Sequence, residues 1–243
     1  MSVDRAAPVA MRAEAVVKSY GATRALRKVD FDVFAGAVNV LIGENGAGKS
    51  TLMRILAGVE RPDEGQVYLG EEPASFTGVR DAARRGVGIV FQELNLCPNL
   101  SVLENIFLGR RITNGPLIDA AAERALAARA LARLDAAIDL DMLVGELRVG
   151  QQQIVEIART LAEDARILIL DEPTSALSES EVETLFRVVT ELTRDGVAVI
   201  YISHRLEELM RIGDWITVMR DGQIVASVPV EQASVPWIVE QML

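Results

Sequence analysis

The segment Gly43-Glu44-Asn45-Gly46-Ala47-Gly48-Lys49-Ser50 constrains this chain more than any other. It has the spacing G-x-x-x-x-G-K-[ST]. The apolar run Val38-Asn39-Val40-Leu41-Ile42 precedes it, and Leu52, Ile55 and Leu56 follow at helical intervals. A strand that passes through a glycine turn into a helix is the setting in which this spacing has chemical meaning. Gly43, Gly46 and Gly48 let the backbone wrap closely, so that successive amide N–H groups converge on phosphate oxygens. The helix that follows adds the partial positive charge of its N-terminus. Lys49 supplies a mobile cation for β- and γ-phosphates, and the Ser50 hydroxyl a ligand for Mg2+. The expected ligand is ATP.

Composition narrows the setting. The chain has 243 residues, half of them apolar and a quarter charged, enough to bury a real core in one generous domain with a subdomain inserted. Its formal charge of −10 disfavours nucleic acid, whose binders usually carry a basic field. The arginines at 80, 84, 85, 110 and 111 stand among acids and read as solvated faces. A single cysteine, Cys97, rules out an internal disulfide and suits a reducing compartment. The start of the chain, with Asp4 and Arg5, lacks the sustained apolar stretch of a signal peptide. No run approaches the roughly 20 apolar residues that span a bilayer. The expectation is a soluble chain that can still dock on a membrane partner.

Periodicity gives the elements. β-rich runs near 12–19, 28–34, 38–42 and 66–69 are separated by turn residues such as Gly36 and Pro62-Asp63. Gly58 is the expected C-cap of the helix after the phosphate loop. Ser101 and Glu104 have the spacing of a capping box. Asp119 suits the N-cap of a helix over about 120–137, and Ile154, Ile157, Ala158 and Leu161 mark another from near Gln151. The continuous apolar run Ile167-Leu168-Ile169-Leu170 reads as a strand covered on both faces. Ser178 with Glu181 is a second capping box, opening a helix that carries Val182, Leu185, Phe186 and Val189. A strand at 197–202, a helix near 205–211 and a hairpin turning at Asp221-Gly222 complete the pattern. The fold class expected is α/β: a P-loop NTPase core with a mostly parallel sheet, an N-terminal antiparallel β subdomain and an inserted all-helical subdomain. The boundaries expected are 1–92 and 166–243 for the core and β subdomain, and 93–165 for the helical one.

Chemistry beyond the phosphate loop follows from strand ends. Asp171-Glu172 stands at the C-terminal edge of the buried strand, where α/β sheets bind ligands. Asp171 is the candidate to hold Mg2+ through water, and Glu172 to polarise the attacking water as general base. His204, the sole histidine, follows the next strand at the same edge and can donate to a γ-phosphate and its transition state.

Taken in order, these motifs resemble the nucleotide-binding subunits of ABC transporters over nearly the whole chain. GENGAGKST at 43–51 resembles the family's phosphate loop, whose contacts the resemblance extends through Glu44, Asn45, Ala47 and Thr51. VFQELNL at 90–96 is similar to its glutamine loop, with Gln92 as the residue that senses Mg2+ and the water. Leu147-Arg148-Val149-Gly150-Gln151 resembles the signature loop. ILILDEPTSALS at 167–178 resembles the second nucleotide motif with the dimer loop Ser175-Ala176-Leu177-Ser178, and ISHRLEE at 202–208 the histidine switch. Tyr20 matches the aromatic that stacks on adenine. The wording of FQELNL and VGQQQIVEIA is most similar to importers of monosaccharides such as ribose, xylose or galactose.

The resemblance implies an ATPase that works as a head-to-tail pair. Each nucleotide would lie between one phosphate loop and the 147–151 loop of the second nucleotide-binding domain, which acts in trans. The second domain is either another copy or the other half of a tandem chain, since this sequence stops at Gln241-Met242-Leu243. Further implied partners are transmembrane permease subunits and, indirectly, a periplasmic or extracytoplasmic sugar-binding protein. The implied location is peripheral, on the cytoplasmic face of a bacterial inner membrane. A permease helix is expected in a groove beside Gln92, where Leu94, Leu96 and Leu100 either line the groove or belong to the subdomain core. A non-transport ATPase acting on DNA or ribosomes would carry coiled-coil insertions or a duplicated domain with basic linkers. A third reading is a binding or regulatory half with poor turnover: Glu172 and His204 speak against it, and Arg148 keeps it open. Two departures stand out. Arg148 replaces the usual serine of the signature loop, and Ser178 the usual aspartate of the dimer loop. Arg148 either contributes its charge to a phosphate or swings toward a neighbouring acid.

Overall fold

A computed structural model describes residues 8–243, so Asp4 and Arg5 lie outside the described residues. β1 (Val9–Tyr20) and β2 (Thr23–Phe34) form a long antiparallel hairpin. Met11 and Ala13 of β1 point inward and Arg12 and Glu14 outward, the period of a half-buried strand. The alternation breaks at Ala15, whose φ of +49° marks a bulge, and Val16 and Val17 are then both buried. Asp30 Oδ1 accepts the amide that the bulge frees, at 2.7 Å. β3 (Val38–Ile42) then feeds the phosphate loop, and α1 (Lys49–Leu56) leaves it. Ala57 caps that helix, and Gly58 follows in a left-handed conformation, one position later than expected.

β4 (Glu64–Leu69) returns to pair with β1, and β5 (Glu72–Ala74) pairs with β4, so the antiparallel sheet has the order β2-β1-β4-β5. Short α2 (Val79–Arg84) precedes β6 (Val87–Val90). The inserted segment follows. Its α3 (Val102–Ile106) is opened by the Ser101–Glu104 capping box, with the Ser101 N–H donating to Glu104 Oε2 at 2.8 Å. The segment is not all-helical, because a small ribbon of β7 (Thr113–Asn114) and β8 (Leu117–Ile118) precedes α4 (Ala120–Arg133). Asp119 caps α4 by accepting the Ala122 N–H at 2.9 Å. The helix ends short of residue 137 because Asp135 turns left-handed. α5 (Val149–Leu161) starts two residues before Gln151, and the expected stripe Ile154, Ile157, Ala158, Leu161 is buried.

The remaining elements alternate: β9 (Ile167–Asp171), α6 (Glu179–Arg194), β10 (Ala198–Ile202), α7 (Leu206–Ile212), β11 (Trp215–Arg220), β12 (Gln223–Pro229) and α8 (Val235–Met242). The main sheet has the order β12-β11-β3-β10-β9-β6, and only β12 runs antiparallel. Its apolar runs divide residue by residue between two cores. Leu168, Leu170, Val199 and Tyr201 join the helices α4, α5 and α6, whereas Ile167, Ile169, Ala198 and Ile200 join α1 and the antiparallel sheet. That division explains why these strands show no polar face.

Candidate nucleotide site

Parallel register brings four strand ends to one edge. Leu41 of β3 is level with Ile202 of β10, Ile202 with Asp171 of β9, and Leu170 with Val90 of β6. The segments that follow are, in order across the sheet, the phosphate loop, Ser203-His204, Glu172 and Phe91-Gln92. Ligands of open α/β sheets lie in this position.

The three glycines of the loop serve different ends. A Cβ at Gly43 would lie 2.1 Å from the Met219 carbonyl oxygen, and one at Gly48 would lie 2.7 Å from that of Ala25. Gly46 faces open space, and its φ of +86° is what requires glycine. The hairpin turn at Asp221-Gly222, left-handed at both residues as such turns demand, braces the loop from behind. The Gly222 N–H donates to the Ala47 carbonyl at 3.0 Å, and the Gly222 carbonyl accepts the Arg27 N–H at 2.8 Å. The first turn of α1 holds no acidic residue and no side-chain cap, so its positive end is left to a ligand.

Lys49 folds back over the loop, donating from Nζ to the carbonyls of Gly43 at 2.7 Å and Glu44 at 3.0 Å. Burial lowers its pKa, opposed by the nearby carboxylates Glu172 and Asp171. Asp171 is held above the usual carboxylate range, by burial first and by Glu172 second, while Lys49 and Arg54 oppose the rise. Burial leads both shifts, and the Glu172 carboxylate acts on both groups. Glu172 adopts a φ of +47° and is fixed by its N–H, which donates to the Ile202 carbonyl at 2.9 Å. Its Oε1 lies 3.3 Å from His204 Nδ1. The acid and the imidazole, far apart in sequence, are therefore in reach of one another.

Tyr20, at the end of β1, is 44% exposed and donates its hydroxyl to the Glu60 carboxylate. Burial and that carboxylate raise the phenol pKa. Lys18 Nζ stands 5.9 Å from the ring centroid. Gln92 is exposed, two residues beyond β6 on the outer side of β9. The dimer-loop residues Ser175, Ala176 and Ser178 are also exposed, while Leu177 packs on the core.

The signature loop lies apart from this group. Leu147 is buried and Arg148 is exposed, its N–H donating to Gln151 Oε1 at 3.1 Å. Gly150 donates its N–H to Glu181 Oε1 at 2.9 Å. Leu147 to Gln151 make no hydrogen bond or ion pair with residues 43–51, Asp171, Glu172 or His204 among the described residues.

Sequence reasoning missed a buried brace beneath the site. Thr174 donates its hydroxyl to Glu208 Oε2 at 2.7 Å, and Arg205 Nη1 donates to Glu208 Oε1 at 2.9 Å. This chain ties the loop after Glu172 to the segment that carries His204. The acid three residues after Arg205 was visible as a helical pair, but its bond to Thr174 was not.

The glycine loop, the strand-end carboxylates and the parallel sheet together define a P-loop nucleotide-binding protein. Residues 26–175 match the family described as ABC transporter, and the chain belongs to that family. It is 48% identical over 233 residues to a ribose import ATP-binding protein of Rubrobacter xylanophilus, covering 96% of this chain and 47% of the relative. A putative ribose/galactose/methyl galactoside import ATP-binding protein of Burkholderia cenocepacia is 44% identical over 240 residues, covering 99% and 47%. The chain thus spans about half the length of the curated relatives it matches. Among solved structures, an ATP-binding cassette of an ABC transporter in its ADP conformation superposes with a TM-score of 0.85 at 28% identity, covering 96% of this chain and 98% of that one. A dimeric cassette in a post-hydrolysis state, bound to ADP and Pi, superposes with a TM-score of 0.77 at 27% identity, covering 90% and 98%. Among the described residues no helix is long and apolar enough to cross a membrane.

Proposed function

We propose that this chain binds ATP with Mg2+ on residues 43–51 and hydrolyses it, within a head-to-tail pair of cassettes that powers import of a monosaccharide. The observation that carries the reading is the Glu172–His204 contact at the sheet edge that also bears the phosphate loop. In this reading the loop amides and the α1 N-terminus cradle the phosphates, and Lys49 leaves its loop carbonyls for the β- and γ-phosphates. Tyr20 stacks on adenine, and Thr51 lies beside it at the start of α1. Ser50 and Asp171 suit a metal that takes one or two protein oxygens beside phosphate and water. When bound, Mg2+ supplies neutralisation of the phosphate charge. Glu172 takes the proton of the attacking water as its oxygen bonds to the γ-phosphorus and the bond to the β-phosphate breaks, leaving ADP and Pi. His204 donates to the γ-phosphate, and Gln92 senses the metal and the water.

The pair would close each nucleotide under the partner's 147–151 loop, with residues 175–178 meeting across the interface. The second cassette is another copy of this chain or the other half of a longer one, a choice that the half-length match to the relatives leaves open. The helical segment 93–165 would face permease subunits on the cytoplasmic side of the membrane, and an extracytoplasmic sugar-binding protein would deliver the solute. The cleft suited to a permease helix, about 500 Å³, is bordered by Val79, Ile89, Phe91, Leu108 and Glu156. Leu94, Leu96 and Leu100 do not line it, and Leu96 packs on the main core.

Glu172→Gln tests the chemistry. ATP binding should persist while steady-state turnover falls on the order of 10²–10⁴-fold, the range of general-base catalysis. Turnover equal to the parent protein would remove Glu172 from the mechanism.

A further inference from the structure

The N–H of Gly150 is already occupied. Glu181 Oε1 accepts it at 2.9 Å, while Glu181 Oε2 accepts the Ser178 N–H at 2.9 Å and its hydroxyl at 2.7 Å. One carboxylate therefore joins the start of the signature helix α5 to the last residue of the dimer loop. The approach is close enough to dictate sequence. A Cβ at Gly150 would lie 2.6 Å from Glu181 Cγ. Glycine at 150 thus admits the glutamate of its own subunit.

We propose that Glu181 is a positioning residue that competes with the partner's nucleotide for the Gly150 amide, so that closure of the pair requires its carboxylate to move away. The inference rests on the head-to-tail reading above. A carboxylate and a γ-phosphate carry like charge, and both favour the same helix end. They cannot share one N–H donor at full strength. In the separate subunit the carboxylate satisfies the amide, and on closure the phosphate replaces it. Arg148, exposed at the N-cap of α5, is the nearby cation that offsets both anions during the exchange. This gives the arginine a role that serine lacks. Hydrogen bonds from the Ser178 N–H and then its hydroxyl hold the Glu181 carboxyl below the usual carboxylate range, with Gly150 N–H and Arg148 adding to the effect. Those contacts favour the ionised, amide-accepting form of the competitor.

The test uses the full chain. In a Glu172→Gln background, which keeps ATP intact, ATP-dependent dimerisation is followed by sedimentation with and without Glu181→Ala. Removing the competitor should lower the ATP concentration at half-dimerisation about tenfold. Glu181→Gln keeps an acceptor for Gly150 but not the charge, and should fall between. Amide exchange at Gly150 in the ATP-free protein should quicken in Glu181→Ala, provided its melting curve matches that of the parent. Unchanged or weaker dimerisation by both variants would overturn the competition while leaving the pair intact. Failure of Glu172→Gln alone to dimerise with ATP would instead sink the head-to-tail reading and this inference with it.

Discussion

Two helix starts in this molecule are built from the same parts and left in opposite states. At α1 a glycine with φ of +105° precedes a first turn free of acids and caps. At α5 a glycine sits inside the first turn and its amide is filled by Glu181. The first is shaped by backbone crowding that no side-chain motion relieves. The second is shaped by contact with one flexible side chain. A cradle fixed by backbone and one filled by an exchangeable side chain suit the proposed head-to-tail pair, in which the site would be completed on closure.

The largest test of that contrast is a pair of alanines. Gly48→Ala meets the Ala25 carbonyl at 2.7 Å and a left-handed backbone, and should cost about 2–4 kcal/mol. Gly150→Ala meets the Glu181 side chain, with Cγ at 2.6 Å and Cδ and Oε1 at 2.7 Å, and that side chain can rotate away at a cost of about 1 kcal/mol. Chemical denaturation of both variants reads the difference, and equal losses would break the contrast. A second comparison stays on α5. Glu156, 7% exposed, accepts the Asn95 N–H at 2.8 Å, and burial raises its pKa. A raised folded-state pKa means the ionised acid opposes folding. The stability is present below the unfolded value of about 4.3 and is lost as pH rises through the higher folded one. Glu156→Gln keeps the acceptor, so it should stabilise the protein on the order of 1 kcal/mol at pH 7 and hardly at all below pH 4. Thermal melts across that range check the sign. The smallest effect belongs to Ser178→Ala, which removes the hydroxyl bond to Glu181 but leaves the backbone one. A loss of about 0.5–1 kcal/mol is expected, with faster exchange at Gly150.

Local signals carried well from sequence to structure. The strand-loop-helix at 38–56, the Ser101–Glu104 box, the Asp119 cap and the Asp221-Gly222 turn each depend on neighbours within a few residues. What stayed hidden depends on distant partners. Nothing within ten residues of Glu181 announces Gly150, and nothing near Thr174 announces Glu208. The ribbon at 113–118 is too short to show a period. α4 stops at Arg133 because the backbone turns at Asp135, although Ala136 and Ala137 continue a helix-favouring composition. Of the two places open to Leu94, Leu96 and Leu100, the core is the one Leu96 takes, and none of the three lines the cleft. Asn105, fully buried, holds the same loop by accepting the Cys97 N–H at 2.7 Å, a partner eight residues away that apolar spacing does not announce.

The turn at Gly222 makes the phosphate loop depend on a distant part of the sequence. Its N–H holds the Ala47 carbonyl, so the phosphate loop takes its shape against a hairpin made from almost the last part of the described chain. The glycine loop does not hold its shape by its own residues alone: a strand pair that comes much later in the sequence forms the wall behind it.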